Sequence, residues 1–121
     1  MDLQKFYESM GVDYGKVLNR LRREDRIEKY LRMMLADESF GSLKAAVESK
    51  DYQSAFMAAH TIKGVSLNLE LTPLAKAAEK LTEYLRCYQS DTSKINEKEA
   101  EMLYQDVQEE YDKLYKAIEE R

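Results

Sequence analysis

Apolar residues recur at intervals of three and four along nearly the whole chain, the period of a helix with one buried face. Leu3, Phe6 and Met10 mark a short first helix that ends near Gly11. Asp13 is placed to cap a second segment running through Val17, Leu18 and Leu21. Ile27, Leu31, Met34 and Leu35 form the stripe of a third, and the RLRRED stretch between them fits either a kink or one continuous helix. Residues 42–50 read as a short helix on Leu43, Ala46 and Val47. Asp51 then offers an N-cap for a longer helix with the stripe Tyr52, Ala55, Phe56, Ala59, Ile62, Ser66 and Leu69. Thr72 and Pro73 supply a cap and a first-turn proline for a helix that buries Leu74, Ala77, Ala78, Leu81 and Leu85 and extends towards Tyr88. Residues 89–94 are the clearest loop, and Asn96 with Glu99 three later resembles a capping box. Ala100, Tyr104, Val107, Tyr111, Leu114 and Ile118 make a heptad stripe that packs inside the bundle or, alternatively, forms a dimerising coiled coil. No strand-type alternation competes, and short loops imply antiparallel neighbours. The expected fold is therefore all-α: an up-and-down antiparallel four-helix bundle with additional short N-terminal helices.

Composition narrows the classes. A length of 121 residues suits one domain over 1–121, large enough to bury roughly 65% of the unfolded chain's surface without staples. With 44% hydrophobic and 35% charged residues the chain reads as globular rather than disordered. A net charge of −4 gives no electrostatic reason to hold nucleic acid. Cys87, the only cysteine, excludes an intramolecular disulfide and a multi-cysteine zinc site, and reads as a packed or half-buried helix residue. No apolar run of about 18 residues is present to span a membrane. The N-terminus MDLQKFYESMG lacks a basic segment followed by an apolar one, so the expected compartment is the cytoplasm.

His60 is the only histidine. At about 100° per residue it lies roughly 120° from the stripe centred on Ala55, Ala59, Ile62 and Ser66, so it should reach solvent. Lys63, Gly64 and Leu67 follow at three, four and seven and share its face. A neutral imidazole nitrogen is a competent nucleophile near neutral pH, because histidine titrates around ~6.5. Phosphorylated, the ring is a reactive phosphoramidate that can pass its group on. Lys63 can bring a flexible ammonium near phosphoryl oxygens. Gly64, which costs a helix about 1 kcal/mol against alanine, either clears space for another protein or serves a close helix contact. Leu67 adds apolar surface for a partner. The hairpin expected around residues 71–73 places His60 opposite residues 80–84. There Glu83 is the first candidate to accept the ring N–H, Tyr84 a weaker one, and Lys80 a second cation for the phosphoryl group.

The segment AHTIKGVSLNLELTPLAKAAEKLTEYLR resembles the histidine-containing phosphotransfer (HPt) domain. The likeness rests on Ala59-His60, Ile62-Lys63-Gly64, the small Ser66, and Asn68-Leu69, with the following helix beside them; it is clear over about residues 43–86. The resemblance implies a four-helix bundle. It implies that His60 takes a phosphoryl group from a receiver-domain aspartate or a sensor histidine kinase and gives it to a response-regulator receiver. Lys63 would then assist the group and Gly64 permit docking, with no cofactor, metal or membrane involved. Such a chain is a carrier rather than a stand-alone enzyme. Members often have glycine where Leu67 and Glu70 stand here; Leu67 narrows the partners that fit, and Glu70 changes how the helix ends. The alternative is a helical interaction module whose histidine is never phosphorylated. An enzyme is disfavoured by the absence of a glycine-rich phosphate loop and of a nucleophile–base pair, and a metal bundle by Met57 standing where a glutamate ligand would be.

Overall fold

Each apolar stripe becomes a helix with one face inside. The computed structural model describes residues 2–119, and these contain α1 (Leu3–Ser9), α2 (Tyr14–Leu21), α3 (Glu24–Leu35), α4 (Ser39–Ser49), α5 (Tyr52–Asn68), α6 (Thr72–Arg86) and α7 (Glu97–Glu119). A 3-10 turn, Thr92–Lys94, interrupts the loop before α7. Among the described residues there is no strand. Helix α4 packs on α5, α5 on α6 and α6 on α7, while α7 also meets α4 and closes the bundle. One hydrophobic cluster draws residues from all seven helices, from Leu3 and Tyr7 of α1 to Leu114 and Ile118 of α7. The heptad stripe of α7 is thus spent inside its own chain: Ala100, Tyr104, Val107, Leu114 and Ile118 are buried. The Tyr111 ring lies against that of Phe40, with centroids 4.0 Å apart and planes tilted by 37°, and its hydroxyl donates to the Leu35 carbonyl at 2.9 Å.

The α5–α6 pair is the most closely apposed. Small buried side chains recur along both helices, Ala55, Ala58 and Ala59 on α5 and Ala75, Ala77 and Ala78 on α6, and keep bulk low on their inner faces. Two carboxylates do the capping that the sequence expects of them. Asp13 accepts from the Gly15 N–H at 2.9 Å, and Asp51 accepts from the Ser54 N–H at 3.2 Å and from its hydroxyl at 2.7 Å. The capping box before α7 is half formed. Asn96 Oδ1 accepts from the Glu99 N–H at 3.0 Å, while the Asn96 N–H goes to the Tyr84 hydroxyl instead of the Glu99 carboxylate.

One open reading is settled and three expectations change. The RLRRED stretch is broken, because Arg22 takes φ 79° and ψ −41°, and the Arg23 N–H closes onto the Leu21 carbonyl in a tight γ-turn. Helix α4 starts at Ser39, three residues earlier than its stripe suggests, since Asp37 accepts from the Ser39 N–H at 2.8 Å and Phe40 is buried. Thr72 is the first residue of α6 rather than its cap, with Leu71 in the capping position and Pro73 inside the first turn. Cys87 is exposed, not half-buried, because it lies past the last buried turn of α6.

The cap at Asp51 sets the start of the helix that carries His60. Hydrogen bonds from Ser54, side chain first and backbone second, hold the Asp51 carboxyl below the ordinary carboxylate range. A depressed folded-state value stabilises the protein above the unfolded value, and that contribution is lost as pH falls through the folded one. Asp51→Ala should therefore lower stability at neutral pH, and the gap to the parent should shrink below about pH 4. Urea melts at pH 7 and at acid pH check this; a gap independent of pH would contradict it.

Candidate functional site

The rotation of α5 decides which side chains can react. Ala55, Ala59, Ile62 and Ser66 point inward and are buried, and His60, one residue past Ala59, is exposed. Gly64 is exposed one turn on, Leu67 keeps 51% of its surface in solvent, and Lys63 is half-buried between them. The structure therefore brings His60, Lys63, Gly64 and Leu67 onto one face. The Lys63 ammonium meets no hydrogen-bond or ion-pair partner among the described residues. Ser66 keeps its inward place by donating its hydroxyl to the Ile62 carbonyl at 2.6 Å, one turn back.

Gly64 decides between the two reasons for a glycine at that position. A Cβ built there meets nothing within 4 Å. No neighbouring helix needs the space, so the glycine is not a packing device within the chain. What it leaves is a flat patch of backbone beside the histidine.

The imidazole is held by a ring rather than by a hydrogen bond. The Phe56 ring lies parallel to His60, with centroids 6.2 Å apart and planes 10° apart, as an i,i+4 pair can on a helix. The guanidinium of Arg86, from α6, sits over the same Phe56 ring, 5.2 Å from its centroid. Arg86 is in turn held by the Glu83 carboxylate at 3.3 Å. The Phe56–Arg86 contact fixes the register of the antiparallel pair. Four residues on from Phe56, His60 comes level with residues near Thr82, inside the 80–84 window the hairpin predicts.

The structure does not bring the named candidates of α6 into contact with the ring. Glu83 is engaged by Arg86, the Tyr84 hydroxyl accepts from the Asn96 N–H, and Lys80 is exposed without a partner among the described residues. No hydrogen bond from a described residue reaches His60. Phe56 and Arg86, which do line the site, were hidden by their patterns. Phe56 reads as one more member of the core stripe, and Arg86 as an ordinary last-turn cation. On the opposite flank, Thr61, Val65 and Asn68 of α5 face Tyr30 and Met33 of α3 across an apolar cleft of about 490 Å³. Among the described residues no cluster of histidine, cysteine and carboxylate side chains is spaced to hold a metal ion. The arrangement offers one accessible nucleophile, one nearby cation and a low, open approach.

A family model described as Hpt domain matches residues 27–120. No curated protein and no solved structure matches the chain.

The open surroundings of Gly64 give a direct stability test. With no clash to offset the gain in helix propensity, Gly64→Ala should raise stability by up to about 1 kcal/mol. Thermal melts followed by circular dichroism measure it, and a lower melting temperature would mean that the backbone patch is structurally constrained.

Proposed function

The chain belongs to the Hpt domain family, a family of phosphoryl carriers in two-component phosphorelays, and on that premise we propose that His60 is the residue that carries the group. The observation behind this is the phase of α5, which leaves the only histidine exposed on the face of Lys63, Gly64 and Leu67. In the proposed step the unprotonated ring nitrogen attacks the phosphorus of an aspartyl phosphate on a receiver domain, or of a phosphorylated sensor kinase. The N–P bond forms as the bond from phosphorus to the donor breaks, and the donor leaves with the electron pair. The other ring nitrogen holds its proton and exchanges it with the surrounding water. Running the step backwards onto the aspartate of a second receiver delivers the group. The donor supplies the phosphorus, and the chain supplies the nucleophile.

Lys63 is proposed to balance the phosphoryl charge, since its ammonium is uncommitted and one turn from the ring. Gly64 and Leu67 are proposed as docking surface, the first by lacking bulk and the second by offering an apolar contact. Phe56 fixes the plane of the imidazole by stacking, so the ring presents its edge outward. The whole of residues 1–121 is read as one domain. Among the described residues no helix is long and apolar enough to cross a membrane; the cytoplasm is the setting proposed for the relay.

His60→Gln should abolish phosphoryl acceptance from an activated receiver while leaving helicity unchanged. Radiolabelled transfer and circular dichroism read the two. Label retained in the variant would overturn the assignment, and a parent that takes no label would favour an interaction module without chemistry. Lys63→Ala should slow transfer in both directions by more than it changes stability, since substituting a surface lysine that has no ion-pair partner usually moves stability by no more than about 0.5 kcal/mol. Rapid-quench transfer rates set beside urea melts measure it, and equal rates would remove Lys63 from the site.

A further inference from the structure

The C-terminal end of α5 carries a second set of contacts, from a part of the chain that precedes the first residue of the family match. The last carbonyls of a helix have no partner within it. Here the Leu67 carbonyl accepts from the Glu70 N–H at 3.1 Å and also from the Arg20 guanidinium of α2 at 3.2 Å. Arg20 reaches the Glu70 carboxylate at 3.1 Å with the same nitrogen. Two residues on, the Leu69 carbonyl accepts from the hydroxyl of Tyr7, a fully buried α1 residue, at 2.8 Å. Three bonds thus tie the first two helices to Leu67, Leu69 and Glu70. They converge on a strained turn, because Glu70 stands at φ 55°, a left-handed conformation that favours glycine. Arg22, at φ 79°, lies at the far end of α2 from Asp13. A residue in such a region stays there only when its surroundings hold it.

We propose that α1 and α2 form a clamp on the last turn of the histidine helix, with Arg20 and Tyr7 as positioning residues that hold Leu67 at a fixed offset from His60. The proposal rests on the carrier reading for its functional half. Leu67 is two turns from His60 and exposed, so any fraying of residues 67–70 moves the apolar contact without moving the nucleophile. A receiver that must meet both at once would then bind less well and react normally once bound. Arg20 itself touches no reacting atom. Its effect is to spare the docking partner the entropy of ordering that turn.

Two measurements separate the parts. Amide hydrogen exchange on the unphosphorylated protein reads the clamp alone. Arg20→Ala and Tyr7→Phe should each speed exchange at the Leu69, Glu70 and Leu71 amides by about tenfold or more, while the amides of residues 59–63 keep the parent rate. Because Tyr7→Phe keeps the buried ring and Arg20 lies at the surface, both variants should melt cooperatively. The kinetic half is phosphoryl transfer from labelled parent and Arg20→Ala protein to a receiver domain over a range of receiver concentrations. The expected result is a KM about fivefold higher with kcat close to the parent's. Unchanged exchange in both variants overturns the clamp. Faster exchange with an unchanged KM overturns its role in docking. A parent that accepts no phosphoryl group overturns the carrier reading, and exchange alone then judges the clamp.

Discussion

Everything at the site depends on the rotational phase of one helix. The core takes up Ala55, Ala59, Ile62 and Ser66, and at about 100° per residue that choice sends His60 to the surface and groups it with Lys63, Gly64 and Leu67. A rotation of one residue would bury the imidazole among alanines and expose Ile62. The phase is secured from both sides. Burying Ile62 is worth about 1.5–3 kcal/mol relative to exposing it, and an imidazole turned into the apolar core would give up its water for no hydrogen-bond partner. The imidazole is thus aimed by residues of the core, through the phase of the helix.

The ends of the helices show how the same backbone problem is met at different cost. Helices α1, α4 and α5 all finish with paired reverse hydrogen bonds: Val12 to Tyr7 and Gly11 to Glu8, Asp51 to Ala46 and Lys50 to Val47, Leu71 to Ser66 and Glu70 to Leu67. Each needs a left-handed residue. Gly11 takes that conformation without penalty, whereas Lys50 and Glu70, at φ 62° and 55°, each cost about 1 kcal/mol or more. Both charged residues are then engaged across the fold, Lys50 by Glu97 and Glu70 by Arg20. An exposed ion pair contributes only about 0–1 kcal/mol, so these pairs offset the strain in part. What they add is connection between segments far apart in sequence.

How far the sequence could be read follows from the range of the interaction. The stripes, the caps at Asp13 and Asp51, and the outward face of His60 depend on residues three or four apart, and all three are present in the structure. The break at Arg22 was open because no glycine or proline marks it; a left-handed arginine is stable only once α2 and α3 are both docked. Tyr84 was a candidate for the imidazole because it falls near the right level of α6. Its hydroxyl is instead drawn to the unpaired N–H of Asn96, which depends on the path of a ten-residue connection. The Arg20 and Tyr7 contacts span 47 to 62 positions, and no periodicity carries such information.

The absence of a hydrogen bond to the His60 ring from any described residue has a consequence for the proposed carrier. A residue that receives a group from one protein and yields it to another gains nothing from a site that stabilises one state strongly, because stabilising the loaded state slows release as much as it aids loading. Stacking against Phe56 restrains the plane of the imidazole without a charged partner and without choosing between its two nitrogens. Arg86 is committed to Phe56 and Glu83, which leaves Lys63 as the nearby cation on the histidine's own face. On this reading the exposed nucleophile is kept oriented and weakly solvated on one side, and the groups that complete the transfer site arrive with each docking partner. The selectivity of the relay then lies in the surface around His60, in Gly64, Leu67 and the cleft between α3 and α5, rather than in the chemistry of the histidine itself.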